Sequence, residues 1–115
     1  MVFGTTTFKY GELELIWFDM PGDIKPEYSK ELVDLYSNDK HVTPNTPPAL
    51  ILLSSDDFLV PVANSLRYYE ALVANKVSAS MHIYPSGGHG WGIRDNFKYH
   101  NEMLNDLSAW LETIK

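Results

Sequence analysis

Two residues of this chain, Asp57 and His89, have the types and the setting that acid–base chemistry requires. Asp57 follows the apolar run Ala49–Leu53, which is typical of a strand buried on both faces, and His89 follows a second predicted strand over residues 78–84. Sites in open parallel sheets lie beyond the carboxyl ends of the strands. If the two strands are neighbours, the carboxylate can accept a hydrogen bond from the imidazole, fix its tautomer and stabilise its protonated form.

The loop that carries His89 is rich in glycine, with glycines at positions 87, 88, 90 and 92. Glycine gives a loop the backbone freedom to turn an imidazole into a cleft. The same residues are equally typical of a tight turn with an exposed histidine. Residue spacing alone therefore leaves a catalytic and a purely structural interpretation of His89 open.

The elements that would position these two residues follow from the hydrophobic periodicity. Strand patterns alternate with helix patterns along the chain, which predicts an α/β fold with a short parallel sheet of about three strands and right-handed crossover helices. We expect a single domain, in which an N-terminal segment (residues 1–26) precedes the main α/β part (residues 27–115). The predicted strands are residues 12–18, 49–53 and 78–84, and the predicted helices are a short one after Pro26, then 64–75 and 96–114.

Apolar residues at helical spacing predict which side of each helix is buried. Of the residues on the middle helix, Arg67 and Tyr68 are expected on its surface. Trp17 and Trp110 are expected in the core. The predicted buried positions are Leu66, Tyr69, Leu72 and Val73 on the middle helix and Met103, Leu104, Leu107, Trp110, Leu111 and Ile114 on the last.

Composition excludes several classes of function. The chain has 115 residues, a net charge of −6 and no cysteine, which disfavours nucleic acid and anionic membranes and excludes disulfides and thiolate metal sites. No apolar run reaches the length of a membrane span, and Met1–Lys9 lacks the order of a secretory signal, so the location in the cell stays open. No His-x-x-x-His or His-Glu-x-x-His spacing occurs. We therefore expect neither a metal nor a cofactor.

Two neighbours of the candidate pair have two interpretations each. Trp91 can line a pocket for an acyl group or a sugar, because aromatic faces suit both, or it can pack against the last helix. Asp56 can help to orient the loop or be an exposed turn residue, and we favour the turn.

The chain from about Leu32 to Lys115 resembles α/β-hydrolase serine esterases. The segment Pro47–Pro61 is similar to their acid-bearing strand followed by Asp-x-x-Val-Pro, and His82–Gly92 is similar to their histidine loop. Asn64–Leu72 resembles the helix between them, and Tyr36–Pro44 resembles the approach to this region in bacterial acetyl-xylan and feruloyl-type esterases, often labelled xylanase-associated. These belong to the dienelactone-hydrolase and prolyl-oligopeptidase-like superfamily.

The resemblance implies that Asp57 is the acid and His89 the base of a Ser-His-Asp triad that cleaves carboxylic esters such as acetylated sugars. The nucleophile of that family lies in Gly-x-Ser-x-Gly before the acid, and no such motif occurs here. We therefore expect the C-terminal part of an esterase, inactive by itself. Two alternatives remain: a truncated non-catalytic module that forms homo-oligomers through an exposed sheet edge or apolar face, or a serine peptidase of the same fold.

Overall fold

The computed structural model describes residues 7–10, 13–16, 31, 34–35 and 37–115. Trp17, and Tyr28, Leu32 and Tyr36 of the predicted first helix, lie outside the described residues, whereas Glu31, Asp34 and Leu35 of that segment are helical. In chain order the elements are β1 (Thr7–Tyr10), β2 (Leu13–Ile16), a 3-10 helix (Asn38–His41), β3 (Ala49–Ser54), α1 (Val62–Ala74), β4 (Ala79–Tyr84) and α2 (His100–Thr113).

Strands β3 and β4 form a parallel pair joined by the crossover helix α1. Their register pairs Ala49 with Ala79 at one end and Ser54 with Tyr84 at the other. Both strands therefore end at the same level, and the loops that follow them start side by side. The predicted α/β architecture is confirmed for this part of the chain.

The predicted strand over residues 12–18 is placed differently from our expectation of a three-stranded parallel sheet. The part of it that the structure describes, Leu13–Ile16, pairs antiparallel with β1, so that the parallel sheet among the described residues has two strands. The physical reason is the length of the connection. Only residues 11 and 12 separate β1 from β2, and such a link permits a hairpin but not a parallel crossover.

The helices α1 and α2 cover opposite faces of the parallel pair. Side chains alternate between the faces of a strand. Ala49 and Ile51 of β3 accordingly belong to a buried cluster with α1, whereas Leu52 packs against a second cluster that includes Met103 of α2. The first cluster contains Ala49, Ile51, Tyr68, Leu72 and Val77, and the second contains Tyr84, Phe97 and Met103.

The buried side of α1 differs from the predicted one by about one residue. Tyr68, expected on the surface, is 3% exposed, whereas Leu66 and Val73, expected in the core, are 41% and 53% exposed. The buried positions are Ser65, Tyr68 and Leu72. A shift of one residue along a helix rotates the buried face by about 100°. The buried face includes Ser65, which is polar, so the spacing of apolar residues alone does not give its position.

The last helix begins four residues later than predicted, at His100 instead of Asn96. Residues before it form successive turns, in which the Phe97 amide donates to the Arg94 carbonyl and the His100 amide to the Phe97 carbonyl. Met103 and Trp110 are buried as predicted, but Leu104 and Leu111 are exposed. The turns place the Phe97 ring in the core beside the histidine loop.

Candidate active site

The two loops that carry the candidate residues are tied together where they leave the sheet. The Ser55 amide donates to the Tyr84 carbonyl over 2.8 Å, which extends the parallel hydrogen-bond pattern one residue beyond the strands. The Ser55 hydroxyl donates to the same carbonyl over 3.3 Å. Asp57 and His89, which lie 32 residues apart in sequence, are thus brought to the same edge.

Asp57 and His89 are in direct contact. Oδ2 of Asp57 lies 2.9 Å from Nδ1 of His89. Because an ionised carboxylate only accepts hydrogen bonds, the imidazole is the donor and carries its proton on Nδ1. The lone pair of the neutral ring is then on Nε2, which is the arrangement of a general base oriented by an acid. The side chain of Asp57 is 10% exposed and that of His89 is 27% exposed, so the pair is largely shielded but reachable.

The other carboxylate oxygen of Asp57 holds its own loop. Oδ1 accepts hydrogen bonds from the backbone amides of Leu59 and Val60, each at 2.9 Å. This is the turn in which an aspartate side chain bonds to the backbone just after it. Both oxygens therefore have donors, and the acid is fixed in the orientation that faces His89.

The backbone conformation of the histidine loop requires glycine at positions 87 and 88. Gly87 has φ = +135° and Gly88 has φ = +64°, conformations that residues with a side chain rarely adopt. At Gly87 there is also no space, since a Cβ atom would lie 2.4 Å from Cε2 of Phe97 and 2.9 Å from Oγ of Ser54. This close approach brings the loop against the core.

Asp56 is exposed, as expected of a turn residue, yet it also bonds to the histidine loop. Its Oδ1 accepts from the Gly88 amide at 2.8 Å and its Oδ2 from the Gly87 amide at 3.3 Å. The exposed position agrees with the turn interpretation, and the two hydrogen bonds support the loop-orienting one. Spacing could not choose between them because the donors are backbone amides of a distant loop.

Trp91 packs inward in the structure. Its ring is stacked on Phe97, with centroids 4.0 Å apart and planes at 1°, and it meets the edge of Tyr84 at 5.7 Å. Its Nε1–H donates to Oγ of Ser54 over 2.8 Å. These contacts favour packing over substrate contact for Trp91, and the cluster it packs against includes Met103 of α2.

Ser54, the last residue of β3, is fully buried and links three segments. Besides accepting from Trp91, its hydroxyl donates to the Ser86 carbonyl over 3.2 Å. A buried hydroxyl with both roles satisfied is part of the scaffold. Its sequence signal is weak, because a serine after an apolar strand is also typical of an ordinary turn.

A second polar contact joins the end of β4 to α2. The phenol of Tyr84 donates to Oδ2 of Asp106 over 2.6 Å, and Nδ1 of His82 lies 3.5 Å from the same oxygen. Burial, followed by the hydrogen bond to Asp106, raises the pKa of Tyr84 well above its usual range. Tyr84 therefore stays a neutral donor and anchors the strand from which the histidine loop departs.

The described part of the chain has neither a cluster of metal ligands nor a membrane-spanning helix. In residues 7–10, 13–16, 31, 34–35 and 37–115, no three histidine or acidic side chains converge as metal ligands. Over the same residues, no helix combines the length and the apolar character that crossing a membrane requires.

The chain is similar to proteins of a known family. The model of the prolyl oligopeptidase family matches residues 2–114. The chain belongs to the prolyl oligopeptidase family. The predicted resemblance to α/β-hydrolase esterases is confirmed, since this family member is 44% identical over 86 residues to an acetylxylan esterase of Xylanibacter ruminicola.

Solved structures agree with this assignment. An acetyl ester-xyloside bifunctional hydrolase from Caldicellulosiruptor lactoaceticus superposes with a TM-score of 0.70 at 36% identity, over 75% of this chain and 32% of that chain. A sugar hydrolase from Lactococcus lactis gives 0.68 at 28% identity, over 81% and 41%. The match with the acetylxylan esterase covers 73% of this chain and 18% of that protein. This chain thus spans less than half of the length of each of these relatives.

Proposed function

We propose that Asp57 and His89 supply the acid and the base of a carboxylic-ester hydrolase of the acetylxylan esterase type. The observation that carries the proposal is the 2.9 Å contact between Oδ2 of Asp57 and Nδ1 of His89 at the carboxyl edge of the parallel strands. It is supported because, in a chain homologous to an acetylxylan esterase, this contact agrees with a histidine that a carboxylate orients.

In the proposed mechanism, His89 accepts the proton of a serine hydroxyl on Nε2 while the serine oxygen attacks the ester carbonyl. The protonated ring then gives that proton to the departing alcohol, and Asp57 stabilises the positive charge in between. Water, activated by His89 in the same way, then attacks the acyl-enzyme. This step releases the carboxylic acid product and restores the serine. The serine must come from outside these 115 residues, because no Gly-x-Ser-x-Gly occurs in them.

For the substrate class, we propose esters of acetylated sugars. The support is that the relatives are named acetylxylan esterase and acetyl ester-xyloside hydrolase. A peptidase of the same fold is the alternative that the family description suggests. The two differ in the bond cleaved, so the choice between them needs a functional test.

A chimeric enzyme tests the function. The matching 86-residue segment of the Xylanibacter ruminicola acetylxylan esterase is replaced by the segment of this chain. We expect the chimera to release acetate from acetylated xylan and to lose that activity with His89→Ala, while a prolyl-peptide nitroanilide stays uncleaved. The parental enzyme with its own histidine replaced is the control. A folded chimera that cleaves only the peptide, or neither substrate, contradicts the proposal.

We also propose that the 115-residue chain by itself is non-catalytic and self-associates. With no serine motif in the chain, we expect its turnover of p-nitrophenyl acetate to equal that of His89→Ala and of buffer. Turnover by the chain that is well above buffer and disappears in His89→Ala would contradict inactivity. Self-association is supported by the exposed side chains of Leu66 and Val73 on α1 and Leu104 and Leu111 on α2.

A further inference from the structure

The carboxylate of Asp56 joins the two loops of the site in a way that the acid–base pair does not use. Its oxygens accept from two consecutive amides, Gly88 at 2.8 Å and Gly87 at 3.3 Å, which lie 32 and 31 residues away in sequence. The contact therefore fixes the backbone one and two residues before His89. Asp57, the next residue along the chain, holds the His89 ring.

The two donor amides are arranged so that they favour a charged acceptor such as Asp56. Successive backbone N–H groups in a turn can converge on a concave site that favours an anion. Gly87 and Gly88 have φ values of +135° and +64°, and the Asp56 carboxylate lies where their N–H groups meet. A charged acceptor makes a stronger hydrogen bond than a neutral one. The contact thus favours the unusual backbone of the histidine loop.

The opposite side of the same loop is held by a different contact. The Ser54 hydroxyl bonds to the Ser86 carbonyl and to the Trp91 indole, so the buried side of the loop is anchored before and after His89. Asp56 holds the exposed side. The two sets of contacts therefore hold opposite sides of the loop, and Asp56 is the one that bonds to the backbone directly before His89.

We propose that Asp56 is a positioning residue for the general base, which sets the Gly87–Gly88 backbone so that Nδ1 of His89 meets Asp57. The inference deepens the proposed function and rests on it for its catalytic meaning. Asp56 contacts the loop that carries the reacting group and acts through His89.

The test is NMR of the whole 115-residue chain with labelled histidine. We expect the wild type to show a far-downfield Nδ1–H proton of His89, which is assigned by its loss in His89→Ala and Asp57→Ala. Asp56→Ala should lose the resonance through exchange with water, because the loop is released. Asp56→Asn should retain it with intermediate exchange, since an amide has one acceptor oxygen for two N–H groups. Glu70→Ala, at an exposed position of α1, is the control and should match the wild type.

Three results would overturn the proposal. The first is a wild-type resonance in Asp56→Ala. The second is equal loss in Asp56→Asn and Asp56→Ala, which would mean that the acceptor oxygen kept by Asp56→Asn does not hold the Gly87–Gly88 backbone. The third applies if Asp56→Ala fails to fold: Asp56→Asn then decides, and wild-type behaviour in it counts against the proposal. This readout needs no turnover, so it can fail or succeed independently of the chimera's esterase activity.

Discussion

At the scale of single residues, Asp57 uses its two carboxylate oxygens for two different tasks. One accepts from the amides of Leu59 and Val60, and the other accepts from His89. The first set of bonds orients the carboxylate, and the second sets the tautomer of the imidazole. A side chain of the same shape but with a donor in place of one oxygen would separate these two tasks.

Asp57→Asn makes that separation. The amide oxygen can still accept from Leu59 and Val60, and its NH₂ group then faces Nδ1 of His89. The ring must present its lone pair on Nδ1, which moves the proton to Nε2 and removes the base. In the chimera we expect kcat to fall by about 10⁴-fold, the magnitude associated with a wrong tautomer in such a triad.

Glu70→Gln, which makes the same charge change on the exposed surface of α1, is the matched control. Urea unfolding of both variants shows whether the structure is kept. Retention of more than a tenth of the wild-type kcat in a folded Asp57→Asn chimera would show that Asp57 does not set the tautomer.

At the scale of elements, the histidine loop depends on close backbone approach at Gly87. Alanine there meets Phe97 and Ser54 and must adopt φ = +135°, so both strain and overpacking oppose it. We expect the free energy of unfolding to fall by roughly 2–5 kcal/mol. Gly90 has φ = +73° with no atom within 4 Å of an added Cβ, and Gly90→Ala should lose only about 1–2 kcal/mol.

Urea unfolding monitored by tryptophan fluorescence measures both losses, because Trp91 stacks on the Phe97 ring that the added methyl group in Gly87→Ala would displace. A larger loss in Gly87→Ala than in Gly90→Ala is expected because, of these two positions, an added Cβ meets neighbouring atoms only at Gly87. Equal losses would mean that the loop moves away from Phe97 at little cost.

The elements that sequence predicted well are those with a strong periodic pattern. Strand Ala49–Ser54 is wholly apolar until its last residue, and the crossover helix and α2 have clear amphipathic spacing. The hairpin was missed because the alternation of residues 12–18 says nothing about its pairing partner. The phase of α1 was missed because Ser65 is part of its buried face.

The contacts of the candidate site are likewise predictable only in part. Asp57 and His89 were predictable because two strand ends and a glycine-rich loop imply where side chains meet. The roles of Asp56 and Ser54 were not predictable, since their partners are the backbone amides of Gly87 and Gly88 and the carbonyl of Ser86. Every residue has a backbone carbonyl and every residue except proline has an amide N–H, so these groups leave no distinguishing signal in the sequence.

At the scale of the whole molecule, the parallel pair has a helix on each face and leaves apolar side chains on the outer sides of both helices. Leu104 and Leu111 of α2 are 39% and 37% exposed, and Leu66 and Val73 of α1 are exposed as well. A short sheet with two strands buries limited area, and a small domain has little stability in reserve. Burying these side chains between copies would add favourable apolar area.

We therefore expect the 115-residue chain to have a molar mass above that of one chain in light scattering at micromolar concentration. Leu104→Lys combined with Leu111→Lys should return it to a single chain, because charges at these positions oppose burial. Asn101→Lys combined with Ser108→Lys adds the same charge at exposed polar positions of α2 and should leave the assembly unchanged. A wild-type chain that stays monomeric across the concentration range would refute self-association, and equal dissociation by both pairs would assign it to net charge and not to the apolar side chains of α2.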